Sequence, residues 1–173
     1  MSTLLLRAGV VLYALLALPG AAEAQRAPAG QPVAAMDGDM PGKAAADLIR
    51  QGDRCAQDRK YTCARRLYRE AADTQREAGA APLDALRRVA NTYYFEGRLA
   101  EAAAVLLREI APVAAQHGDV VAQSYAFADA ATLYGEMGYA REFHESLDAL
   151  RKVMRSPYIP ESERQRLESR LTQ

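Results

Sequence analysis

The sequence predicts an all-α protein, an array of helical hairpins closed by a short C-terminal helix, and three observations carry that prediction. No segment alternates apolar and polar residues as a half-buried strand would. Between Pro41 and Pro82 there is no proline, and Ala, Arg, Leu and Glu dominate, side chains that lose little rotamer freedom in a helix. Apolar residues then recur at spacings of three and four in three blocks that align on Ala64, Ala102 and Phe143, offset by 38 and 41 residues. Periods of that size point to a solenoid of stacked helix pairs.

The N-terminus reads differently from the rest. Residues Met1–Arg7 lead into an apolar run from Ala8 to Leu18, broken by Pro19-Gly20 and followed by Ala22-Glu23-Ala24. This is the pattern of a signal peptide, with the cut expected after Ala24. The run is shorter than the roughly 17 to 25 apolar residues of a spanning helix, so an uncleaved anchor is the weaker alternative. No cysteine follows the run, which disfavours a lipoprotein. The expectation is a soluble mature chain beginning at Gln25, periplasmic or secreted, with no stable membrane insertion once cleaved. Residues 25–43, with Pro28, Pro32 and Pro41 among Ala, Gly and Gln, are expected to form a disordered leader.

Residues 44–157 carry the hairpins. Leu48, Ile49, Gly52 and Cys55 mark one stripe, and Tyr61, Ala64, Leu67, Tyr68 and Ala71 a second, across the polar break 57–60. In the second block Leu86, Val89, Ala90 and Tyr93 precede a turn at Glu96-Gly97-Arg98, and Leu99, Ala102, Ala103, Leu106 and Ile110 follow it. The third runs through Phe127, Ala130, Ala131 and Tyr134, a turn at Met137-Gly138, then Phe143, Leu147 and Leu150. Connectors at Gly79–Pro82 and His117–Asp119 both look longer than minimal. Pro112 removes a donor and is expected to bend or end its helix near Ala111. Residues 158–173 are expected to form a capping helix, opened by Pro160 and carrying Leu167 and Leu171 to cover the apolar end of the third hairpin.

Composition narrows the function. The 22 Lys and Arg balance 22 Asp and Glu, and signal cleavage would remove one of each sign, Arg7 and Glu23. A neutral chain lacks the basic excess of nucleic-acid binders, so no nucleic-acid partner is expected. Two histidines, 27 residues apart and without a cysteine cluster beside them, do not make a metal site. No glycine-rich phosphate loop follows a strand, and no serine sits in a Gly-x-Ser-x-Gly elbow. Acidic pairs at Asp37 and Asp39, or Glu161 and Glu163, fall in a leader and a helix start, where nothing preorganises a general acid. The chain is therefore expected to be no enzyme and to hold no cofactor. Arg65, Arg66 and Arg69 read as a solvated helix face paired locally with Glu70 and Asp73. Cys55 and Cys63, the only cysteines, stand eight apart across a hairpin turn in a chain with an export signal. They are expected to form a disulfide, the alternative being two buried thiols that fill the core.

The pairing of small residues twelve apart, Gly52 with Ala64 and Ala90 with Ala102, resembles the tetratricopeptide repeat (TPR) family. Tyr61 and Leu99, three before the second small position, and the turn glycines Gly97 and Gly138 add to the likeness, while Arg59 and Phe143 depart from it. Other helix-hairpin arrays share the periodicity. The resemblance covers about Ala45 to Pro157 and implies a right-handed solenoid of about three hairpins whose first helices line a concave face that binds a protein or peptide. On that register the inward residues are Asp84, Arg87, Asn91 and Tyr94, then Tyr125, Asp129 and Thr132 in the third repeat. Arg87 and Asn91 resemble half of the family's clamp for a peptide carboxylate, and Asp129 and Tyr125 stand where its other cations would be. An extended segment bearing an acidic group and an apolar side chain, anchored by Tyr94 and Tyr125, is the expected ligand. Alternatively Arg87 and Asp129 pair across adjacent helices and the tyrosines complete the packing. A structural or oligomer-forming subunit, and more remotely an enzyme accessory domain, are the competing functions.

Overall fold

In the computed structural model, residues 41–171 are described, and among them the chain is helical without a strand. The signal peptide, nearly all of the leader and the pair Asp37 and Asp39 lie outside the described residues. Helix α1 (Pro41–Gln57) packs along α2 (Tyr61–Glu77), α3 (Leu83–Phe95) along α4 (Leu99–Val105), and α6 (Val120–Met137) along α7 (Ala140–Val153). A π-helical segment, Leu106–Ile110, joins α4 directly to α5 (Ala111–Gln116), and α8 (Glu161–Leu171) ends the described chain. Helix α1 takes in Pro41–Lys43, which the sequence assigned to the leader.

The turns explain why these helices stop where they do. After α1, α2, α3, α5 and α6 one residue adopts a left-handed backbone, and the next N–H reaches back five residues to a helix carbonyl, as Arg98 does to Tyr93 at 2.9 Å and Tyr139 to Tyr134 at 2.9 Å. Glycine supplies four of these positions, Gly79, Gly97, Gly118 and Gly138; Arg59 supplies the fifth with φ 59°. Two expectations need correcting. The connector 117–119 is as short as the turns within hairpins, because Asp119 caps α6 at once by accepting from the Ala122 N–H at 2.8 Å. Of the two outcomes expected at Pro112, ending the helix does not occur: the chain stays helical to Gln116, with Ala111 N–H reaching Leu106 O. Widening one turn to π geometry relieves the carbonyl that the proline ring would otherwise strike.

The main core runs through α2, α3, α4, the π segment and α6, with Leu86, Val89, Ile110 and Ala130 fully buried. Helix α6 is central, touching α4, the π segment, α5, α7 and α8. Its small residues Ala122, Ser124, Ala126, Ala128, Ala130 and Ala131 are buried on several sides and permit that crowding. A second cluster joins Ala128 to Leu150, Met154, Ile159 and Leu167, so α8 packs against the third hairpin.

Candidate functional site

Helices α3 and α6 position the residues that the sequence singled out, and the structure divides them into two groups. On α3, Asp84 is exposed and pairs with Arg88 at 3.1 Å, one helical turn on. Arg88 also contacts Asp53 of α1, whose carboxylate accepts from the buried Tyr68 hydroxyl at 2.7 Å. Burial, reinforced by that hydrogen bond, raises the Tyr68 pKa. This four-residue cluster ties the first hairpin to the second. Sequence reasoning missed Asp53 and Arg88, whose only signal is that they stand beside Gly52 and Arg87, and it placed Tyr68 in the apolar stripe of α2 without its polar role.

The α6 group is occupied by the chain itself. Tyr125 donates to Glu163 of α8 at 2.6 Å, and the Arg170 guanidinium lies 5.3 Å over the Tyr125 ring. Burial and the Glu163 contact raise the Tyr125 pKa. Asp129 pairs with Arg170 at 2.6 Å, and Thr132 donates back to the Ala128 carbonyl at 3.1 Å. Burial raises the Asp129 pKa, opposed first by Arg170 and, more weakly, by Arg87. The cross-helix partner of Asp129 is therefore Arg170 rather than Arg87.

Between these two satisfied clusters lie Arg87 and Asn91, half-buried and one helical turn apart. Among the described residues neither makes a side-chain hydrogen bond or an ion pair. Tyr94 lies a turn beyond Asn91, edge-on to Phe95 at 5.7 Å, and Phe95 stacks on Tyr61 at 6.4 Å. The arrangement can offer a cation and an amide to an acidic group, with aromatic surface beside them.

The arginines of α2 correct another expectation. Arg66 does pair locally, 3.8 Å from Glu70, but Arg65 binds Glu96 at 2.6 Å and Arg69 binds Glu109 at 3.0 Å. Arg65 and Arg98 flank the Tyr93 ring at 4.5 and 4.8 Å. Arg65 and Arg69 thus join the first hairpin to the second, because α2 packs against α3, although Arg69 stays exposed as Arg66 does. Asp73 pairs with Arg76. The sulfurs of Cys55 and Cys63 lie at disulfide-bonding distance, with Cα atoms 5.9 Å apart. No helix among the described residues is long and apolar enough to cross a membrane. Comparison with protein-family models and with curated proteins finds no match to the chain.

Proposed function

We propose that this chain is an exported adaptor of the tetratricopeptide kind, a right-handed stack of three hairpins and a cap that binds a protein or peptide through the face bearing Arg87, Asn91 and Tyr94. The observation that carries the reading is the contrast on that face. Its flanks are closed by the pairs of Asp53 with Arg88 and Asp129 with Arg170, while the half-buried polar groups at its centre have no hydrogen-bond partner among the described residues. Half-buried polar groups forgo part of their hydration, and a ligand that pairs with them recovers it. A segment with a carboxylate for Arg87 and Asn91 and an apolar side chain for Tyr94 fits best. With α8 seated on Tyr125, that tyrosine is not the second anchor. Cys55 and Cys63 at bonding distance agree with folding in an oxidising compartment such as a periplasm.

The test is selection from a peptide library, followed by binding to Arg87→Ala, Tyr94→Ala and the exposed control Arg66→Ala. Losses of roughly tenfold in the first two, about 1 to 2 kcal/mol, with the control unchanged, are expected. If the three variants fold and bind alike, the reading fails. A second reading, an oligomer-forming subunit, is favoured by three exposed aromatic side chains, Phe95, Tyr139 and Tyr158, the last 82% exposed. Light scattering of the purified chain separates the two, since only the second requires a stable oligomer without ligand.

A further inference from the structure

We propose that α8 is a detachable internal ligand, and that the surface beneath it receives a helical segment of another protein carrying an acid, an apolar residue four positions on and a base seven positions on. Glu163, Leu167 and Arg170 have that spacing and therefore share one face of α8. Each meets a complementary group: Glu163 the Tyr125 hydroxyl, Leu167 the apolar floor of Ala128, Leu150 and Met154, and Arg170 the Asp129 carboxylate under its contact with the Tyr125 ring. Most of the remaining side chains of α8, including Glu161, Gln165, Arg166 and Glu168, are exposed. Arg164 turns back to the carbonyls of Met154 and Ser156 in the preceding connector.

The grip is slight beside that of the other helices. Helix α3 buries Ala85, Leu86, Val89 and Ala90, whereas among the described side chains of α8 only Leu167 is buried. A helix of 11 residues is marginal by itself, so α8 undocks and unravels as one unit, at a free energy well below global unfolding. Its departure would leave the Asp129 carboxylate without its cation, and a surface in that state favours a basic partner group over a neutral one. Arg87 of α3 attracts the same carboxylate more weakly than Arg170 does, so the vacated surface lies near the face on which the proposed function rests.

Two measurements on the full chain test the proposal without knowledge of the partner. Hydrogen exchange of the wild-type protein is expected to show α8 amides exchanging about a hundredfold or more faster than those of α6; equal protection overturns it. A fluorescein-labelled peptide of residues 156–173 is expected to bind Leu167→Ala or Arg170→Ala chains roughly tenfold more tightly than wild type, whose own helix competes. Adding Asp129→Asn to the Leu167→Ala chain should weaken the peptide again, and adding Arg66→Ala, an exposed change on α2, should leave it nearly unchanged. A Leu167→Ala chain that keeps its other helices and binds no better than wild type overturns the proposal. Because the α3 reading is read through Arg87→Ala and Tyr94→Ala with a library peptide, and this inference through Leu167→Ala and Asp129→Asn with the α8 peptide, their failures give different patterns.

Discussion

The first and third hairpins close around the same device, a glycine on the leading helix facing an aromatic ring on the returning one, but they place it differently. Gly52 lies eight residues before Lys60, the residue that precedes α2, and faces Tyr68, a residue that is 2% exposed and fixed by its hydrogen bond to Asp53. Gly135 lies four residues before Tyr139, at the exposed mouth of its hairpin, and faces the half-buried Phe143. Deep in a hairpin the helices are held on both sides and the glycine sets their separation. At the mouth the same pair has room, and the glycine does not set the separation of the helices. One motif thus serves as a fixed spacer in one place and as a loose contact in the other.

The largest effect should come from filling the deep position. A Cβ on Gly52 would sit 2.7 Å from Tyr68 Cδ1 and closer still to Cε1, and the ring cannot swing away without losing Asp53. Gly52→Val should destabilise by about 3 kcal/mol, through overpacking that exceeds any gain in helix propensity. Urea unfolding measures it; a change below about 1 kcal/mol would show that the first hairpin is as loose as the third. Next comes the cross-link that only the first hairpin has. Joining Cys55 to Cys63 closes a short loop and should contribute about 2.5 kcal/mol, lost in Cys55→Ser or on reduction. Intact mass after alkylation without reductant checks the premise: two added labels mean free thiols.

How much of this was legible depends on how far apart the partners stand. Helices and turns were readable because their signals are local: apolar spacing, Gly97, Gly138, and Arg59 recognised as standing where a turn glycine belongs. The short connector at 117–119 was misread because the cap supplied by Asp119 lets α6 start at once. The π segment was missed because proline's effect depends on whether neighbours hold the helix together, and here α6 packs along it. Least legible was the site. Tyr125 and Glu163 are 38 residues apart and Asp129 and Arg170 are 41 apart, so no window of periodicity connects them. The sequence placed α8 over the end of the third hairpin by its apolar residues, and it is the polar residues of α8 that take two of the expected ligand contacts. Arg65 and Arg69 were misjudged for the same reason, since Glu96 and Glu109 reach them only through packing.

A smaller effect sharpens the contrast between turns. Arg59 holds a left-handed backbone that glycine adopts at the four equivalent positions, at a cost of about 1 to 2 kcal/mol for a residue with a Cβ. Glycine there would relieve that strain but add freedom to the unfolded chain, worth about 0.4 to 1 kcal/mol in the other direction. Arg59→Gly should therefore stabilise by about 1 kcal/mol or slightly less, a rise of several degrees in melting temperature for a domain of this size. Loss of stability would show that the exposed Arg59 side chain supports the turn.

The smallest effect is expected at the mouth of the third hairpin, and there the sign should reverse relative to Gly52. A Cβ on Gly135 would meet the Phe143 ring at 3.5 and 3.6 Å, ordinary van der Waals contact. Nothing has to move, so the substitution keeps the benefit that alanine brings to a helix. That benefit is reduced from about 1 kcal/mol because Gly135 lies in the last turn of α6, where its carbonyl already accepts the Gly138 N–H at 3.1 Å. Gly135→Ala should stabilise by about 0.5 kcal/mol, read as a small upward shift of the urea midpoint at unchanged slope. A loss of 1 kcal/mol or more would mean that Gly135 is a spacer like Gly52 and that the third hairpin is closed as tightly as the first. A gain beside a large loss in Gly52→Val would leave depth in the hairpin as the variable that separates the two glycines.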